Sequence, residues 1–79
     1  MKALANRRRL AILRFLKTKK EASVGDIAEE IKLSFKATSK HLGVLSAASI
    51  VDREQRSLQM FYCFSLDLPL PARSIISLL

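Results

Sequence analysis

A small, mainly α-helical domain with one β-hairpin is the fold class that this sequence of 79 residues predicts, and three observations predict it. Apolar residues recur at helical spacing from Leu10 to about Ala48. The period changes to two between Ile50 and Leu66. Two helix-start signals, Ser23 and Ser34, divide the helical part into successive helices with little chain between them. The length suits a single domain over residues 1–79, and an apolar content of 49% is enough for one core.

The first helix is expected from about Asn6 to Lys17, with Asn6 as its cap and Leu10, Ile12, Leu13, Phe15 and Leu16 as its apolar stripe. Its other face is basic, and Lys17, Lys19 and Lys20 suit the negative end of the helix dipole. Ser23 followed by Asp26 reads as a capping box on an amphipathic helix, about 24–32, that buries Val24, Ile27, Ala28 and Ile31 and turns Glu29 and Glu30 outward. Ser34 caps the next helix, about 34–48. Steps of 100° put Phe35, Thr38, Leu42, Leu45 and Ser49 on its inward side, with Lys36, Lys40, Gly43, Ala47 and the flanking Ser39 outward.

Two short strands follow, Ile50 to Gln55 and Gln59 to Leu66, in a hairpin of about 50–66 whose tip is Arg56, Ser57 and Leu58. Pro69 and Pro71 stop the second strand. The tail 67–79 is apolar with one arginine, and reads either as a short closing helix or as a frayed end.

Charge narrows the function. Fourteen Lys and Arg against seven Asp and Glu leave +7, a field suited to polyanions, either nucleic acid or an anionic membrane. The preceding helix carries acids, whereas none stands between Ser34 and Val51. A single cysteine, Cys63, excludes an intramolecular disulfide and a zinc site of several thiolates, so a reduced, cytoplasmic setting is expected. No stretch approaches the roughly 18 apolar residues that span a bilayer, and Arg7, Arg8 and Arg9 interrupt the start, so neither a membrane span nor a signal peptide is expected. One His, one Cys and the lack of a carboxylate pair, phosphate loop or nucleophile motif speak against an enzyme, and no cofactor or metal is expected.

Two helices joined by a tight turn, the second basic outward, and then a hairpin make the layout of a winged helix-turn-helix. The major groove of DNA is about 12 Å wide and admits one helix, so 24–32 would brace and 34–48 would insert. Ser34, Lys36, Ser39 and Lys40 would add side-chain donors to the free amides at the helix start, and the hairpin would bring Arg53 or Arg56 to the adjacent groove or backbone.

The run Leu4-Ala5-Asn6-Arg7-Arg8-Arg9-Leu10, then Asp26-Ile27-Ala28, then Ser39-Lys40-His41-Leu42 with Val44-Leu45, Ala48 and Ile50-Val51, resembles the ArsR-type winged-helix transcriptional repressors from about Leu4 to Ser65. The resemblance implies a homodimeric regulator that binds operator DNA, and it carries the DNA-facing role to Phe35, Lys36, Thr38, Ser39, Lys40 and His41. Departures are visible. Phe35 stands where the family often has a base-reading Gln, so it would join the core or touch a thymine methyl. Gly43 replaces a long basic side chain, Ser49 the glycine after the helix, and Ser57 a wing glycine. Ser23, Val24 and Gly25 replace the family's cysteine pair, and no histidine follows Asp67, so the family's metal sites are not expected.

The terminal helices through which that family dimerises are reduced, yet Leu68, Leu70, Ile75, Ile76, Leu78 and Leu79 make an apolar tail that favours a homodimer. Plainer roles stand beside the sharper ones: His41 as a hydrogen-bonded packing residue, Cys63 as a small buried hydrophobe, and Tyr62 and Phe64 as core. The alternative function is a winged-helix module that binds RNA or a protein partner. A basic helix from Arg7 to Lys20 lying on a membrane would leave the polar side of 34–48 unexplained.

Overall fold

Asn6 starts the first helix by accepting, through its side-chain oxygen, the amides of Arg8 and Arg9 at 2.9 and 3.2 Å. The computed structural model describes residues 2–79. A 3-10 turn, Lys2–Leu4, precedes this cap, and α1 (Arg7–Lys19) runs slightly beyond the expected Lys17. The chain leaves α1 through Lys20, held at φ 71°, whose amide donates to the Leu16 carbonyl at 2.7 Å.

A short strand, β1 (Glu21–Ser23), comes next, which the sequence pattern did not suggest. Ser23 ends it and also caps α2 (Val24–Ile31), its Oγ accepting from the Asp26 amide at 3.1 Å. Val24, Ile27 and Ala28 are buried as the apolar spacing requires. Lys32 then turns the chain in the left-handed region at φ 57°, ψ 47°. Ser34 caps α3 (Phe35–Ala47) by accepting from the Ala37 amide at 3.1 Å.

The hairpin is β2 (Val51–Arg56) and β3 (Gln59–Phe64), with Arg56 opposite Gln59, so Ser57 and Leu58 alone form the loop. Arg56 is thus a strand residue and not part of the tip. Ser57 sits at φ 58°, and Leu58 is not at positive φ, the sign pattern of a type II′ turn. On its other edge β3 pairs antiparallel with β1, Ala22 opposite Tyr62, which gives a sheet in the order β1-β3-β2. The tail settles as α4 (Leu70–Ser77), with Pro71 in its first turn, where a missing amide costs nothing. Lys17 Nζ donates to the Ile76 carbonyl at 3.2 Å, near the end of α4.

Every element contributes to one core. Ile12, Leu13 and Leu16 of α1, Ile27 of α2, Leu42 and Leu45 of α3, and Ile50 and Val51 at the hairpin entry are almost wholly buried. Tyr62, Ala72 and Ile76 close it from the sheet and from α4. Three expectations about side chains fail, one of them Ser49, expected inward but exposed in the turn after α3. Phe35, expected inward, is 63% exposed, and Leu66, expected to continue the β3 alternation, is 96% exposed.

Candidate nucleic-acid interface

The helix α3 is divided lengthwise. Thr38, Leu42 and Leu45 are fully buried against the core, and Lys36, Lys40, Gly43 and Ala47 face solvent. Burial anchors one side of the helix and leaves the other as a ridge with two ammonium groups one turn apart. The cap of Ser34 keeps the start of this ridge in place while leaving Ser34 itself exposed.

The predicted contact residues divide accordingly. Ser34, Lys36 and Lys40 are exposed and Ser39 is half-buried, so these come together on one surface. Thr38 requires a correction: it has no accessible surface, and the helical spacing that placed it inward holds over the resemblance that placed it outward. Its Oγ1 is buried without a hydrogen-bond partner among the described residues.

His41 is half-buried at the edge, its Nδ1 3.3 Å from Arg9 Nη1. With Arg9 as donor, Nδ1 is the acceptor and the imidazole is neutral, its proton on Nε2. Burial first, and then the charges of Arg9, Arg8 and Lys40, hold His41 below its ordinary value of 6.5. The same Arg9 donates from Nε to the Ala3 carbonyl at 2.6 Å and from Nη2 to the Lys2 carbonyl at 3.3 Å. Sequence reasoning missed this link, since nothing in a local pattern joins Arg9 to His41.

On the wing, Arg53 is exposed and has no ion-pair partner among the described residues, whereas Arg56 is engaged. Arg56 donates from Nη1 and Nη2 to the two carboxylate oxygens of Glu21 at 2.7 and 2.8 Å, and from Nε to Glu54. Its guanidinium also lies over the Phe61 ring, 4.9 Å from the centroid. Leu58 at the loop is 97% exposed. Ser23, Val24, Gly25, Phe35, Leu58, Gln59 and Met60 line a cleft of about 150 Å³ between the starts of α2 and α3 and the wing.

Cys63 is half-buried on β3, and burial first, then Asp52, Glu21 and Glu54, raise its thiol pKa. Among the described residues no helix is long and apolar enough to cross a membrane.

Comparison with known proteins agrees with this geometry. The model of a helix-turn-helix domain family matches residues 4–54. The transcriptional activator HlyU of Vibrio cholerae is 38% identical over 65 residues, covering 82% of this chain and 59% of HlyU. The nodulation protein NolR of Rhizobium meliloti is 37% identical over 67 residues, 85% of this chain and 54% of NolR. The chain therefore spans somewhat more than half the length of these curated relatives. Reduced HlyU from Vibrio cholerae superposes with a TM-score of 0.83 at 35% identity, over 98% of this chain and 77% of that one. A homodimeric winged helix-turn-helix DNA-binding domain from Mycobacterium bovis, described as a possible ArsR-family regulator, gives 0.80 at 27% identity, over 98% and 68%. With the family model matching residues 4–54 and relatives 38% and 37% identical over most of this chain, the chain belongs to the helix-turn-helix domain family and is a winged helix-turn-helix of the ArsR type.

Proposed function

We propose that the chain is a transcription regulator that binds a specific site in duplex DNA, with α3 in the major groove and the wing on the neighbouring backbone or minor groove. The observation that carries this reading is the division of α3, with Lys36 and Lys40 exposed and Thr38, Leu42 and Leu45 sealed behind them. A helix anchored so deeply on one side inserts as a rigid ridge, and cations flanking Ser34 and Ser39 meet phosphates while the helix axis enters the groove. Ser34, Lys36, Ser39, Lys40 and Arg53 form the proposed contact set, with His41 at its margin and Arg56 held in reserve by its carboxylate partners. Thr38 is left out because it is buried.

The test is selection of bound duplexes from a random pool, followed by gel shifts with Lys40→Ala. A defined motif and about a tenfold loss on Lys40→Ala at matched salt are expected. A pool without a motif, or unchanged affinity, overturns sequence-specific insertion of α3 and favours an RNA or protein partner.

The reading includes a homodimer and repression by occupancy of the site. Leu70 and Leu78 of the α4 region are 72% and 86% exposed, an apolar edge that a second copy would cover, and the Mycobacterium bovis neighbour is described as homodimeric. Twofold pairing would set two inserted helices roughly 34 Å apart. Removing the tail after Pro71 is a poor test, because Ala72 and Ile76 belong to the core. The double change Leu70→Ser, Leu78→Ser leaves the core intact and should shift sedimentation to monomer; an unaltered dimer overturns this interface. Run-off transcription from a template carrying the selected site should fall when the protein is added, and a rise would assign it the activator sign that HlyU's name carries.

A further inference from the structure

We propose that the cleft between the start of α3 and the wing is a subsite for the 5-methyl group of a thymine, with Phe35 as the residue that reads it. The inference rests on the proposed docking of α3 on duplex DNA and specifies what that docking selects.

Large apolar groups stand where a face made only for phosphates would be polar. Phe35 is 63% exposed at the first position of α3, beside the exposed Lys36, and Leu58 is 97% exposed across the cleft. Val24 and Met60 complete an apolar lining, and Ser23, Gly25 and Gln59 add no charge to it. No charged side chain lines the cleft, whereas an apolar group would be buried against carbon on both sides.

Size narrows the occupant further. Sites for cofactor-sized ligands run to about 300–1,000 Å³, while this cleft has about 150 Å³, room for a methyl group and the pyrimidine edge that carries it. Among the groups that the four bases present in the major groove, the thymine methyl is the apolar one. Phe35 also explains itself on this view. It opens α3, and its ring is left in water at a cost that contact with a thymine would remove.

The test replaces thymines of the selected duplex by uracil one at a time, which removes only the methyl group, and measures the dissociation constants of the unmodified chain and of Phe35→Ala. One thymine per half-site should matter: its uracil form should bind the unmodified chain about fourfold more weakly, the equivalent of roughly 0.8 kcal/mol for one buried methyl. Phe35→Ala should bind the two duplexes alike. Because the first comparison changes only the DNA, it does not depend on how a variant folds. Equal binding of every uracil duplex by the unmodified chain, or undiminished discrimination by Phe35→Ala, overturns the subsite and leaves DNA binding standing. Failure to retain any duplex at low salt overturns the proposed function and the subsite with it.

Discussion

Arg56 and Glu21 meet fork to fork, two parallel hydrogen bonds of 2.7 and 2.8 Å joining the end of β2 to the start of β1. Arg56 also bonds Glu54, so the wing cation nearest the loop is already neutralised and the hairpin is braced from the side. Glu21→Gln removes one acid and leaves Arg56 with Glu54 as its one remaining carboxylate partner among the described residues. It should tighten duplex binding at low salt and steepen the logarithmic salt dependence by about 1. Arg53→Ala should flatten that dependence by about 1, and Arg56→Ala should change it little. Equal effects of the two arginine changes would mean that the fork opens on DNA.

Ser49 and Ser57 sit at φ 62° and 58°, backbone that costs an L-residue roughly 1 kcal/mol or more. Ser49→Gly and Ser57→Gly should each raise stability by about 0.5–1 kcal/mol, read as a higher midpoint in urea with an unchanged slope.

Gly43 lies exposed in mid-helix, and beyond its own stretch of helix a Cβ there would meet nothing within 4 Å among the described residues. Gly43→Ala should therefore stabilise the free chain by about 1 kcal/mol. Should the backbone of α3 approach DNA closely at this point, the same change will weaken duplex binding, so thermal unfolding and gel shifts will move in opposite directions.

Caps and core were legible in the sequence because their causes are local. Asn6, Ser23 and Ser34 carry side-chain oxygens just ahead of apolar spacing, and all three accept the amides expected of them. β1 was not legible: Glu21, Ala22 and Ser23 are too few to show a period, and only their pairing with β3 makes them a strand. The pairing of Arg56 is hidden from the sequence for the same reason, since its partner Glu21 lies on that strand. Phe35 shares the inward direction of Leu42 and Leu45, yet a side chain leans toward the N-terminus of its helix and one in the first turn projects past the end of the core. Thr38 shows periodicity outweighing resemblance, because its burial follows from its position in the turn before Leu42.

Thr38→Val follows from that burial. The hydroxyl is sealed away without a partner among the described residues, and removing it at nearly constant shape should stabilise the chain by about 1 kcal/mol. Chemical denaturation measures this directly, and a loss of stability would reveal a partner for the hydroxyl.

Stability should also fall in acid through His41. Its pKa is lowered from 6.5 in the folded chain, so the unfolded chain takes up the proton first. The favourable balance is complete above the ordinary value and is lost as pH falls from there through the lower folded value. Melting temperatures between pH 7.5 and 5 should drop for the unmodified chain and drop less for His41→Gln.

Cys63 should be a sluggish nucleophile. With its thiol pKa raised by burial and by the acids Asp52, Glu21 and Glu54, alkylation by iodoacetamide at pH 8 should run several-fold slower than that of a free cysteine, and a faster rate would contradict the arrangement of charges around it.

Arg9 touches the carbonyls of Lys2 and Ala3 with one part of its guanidinium and His41 with another. The amino-terminal end of the chain is thereby a handle on the helix that carries Lys36 and Lys40. Arg9 thus couples the position of the turn Lys2–Leu4 to that of His41 at the edge of this helix.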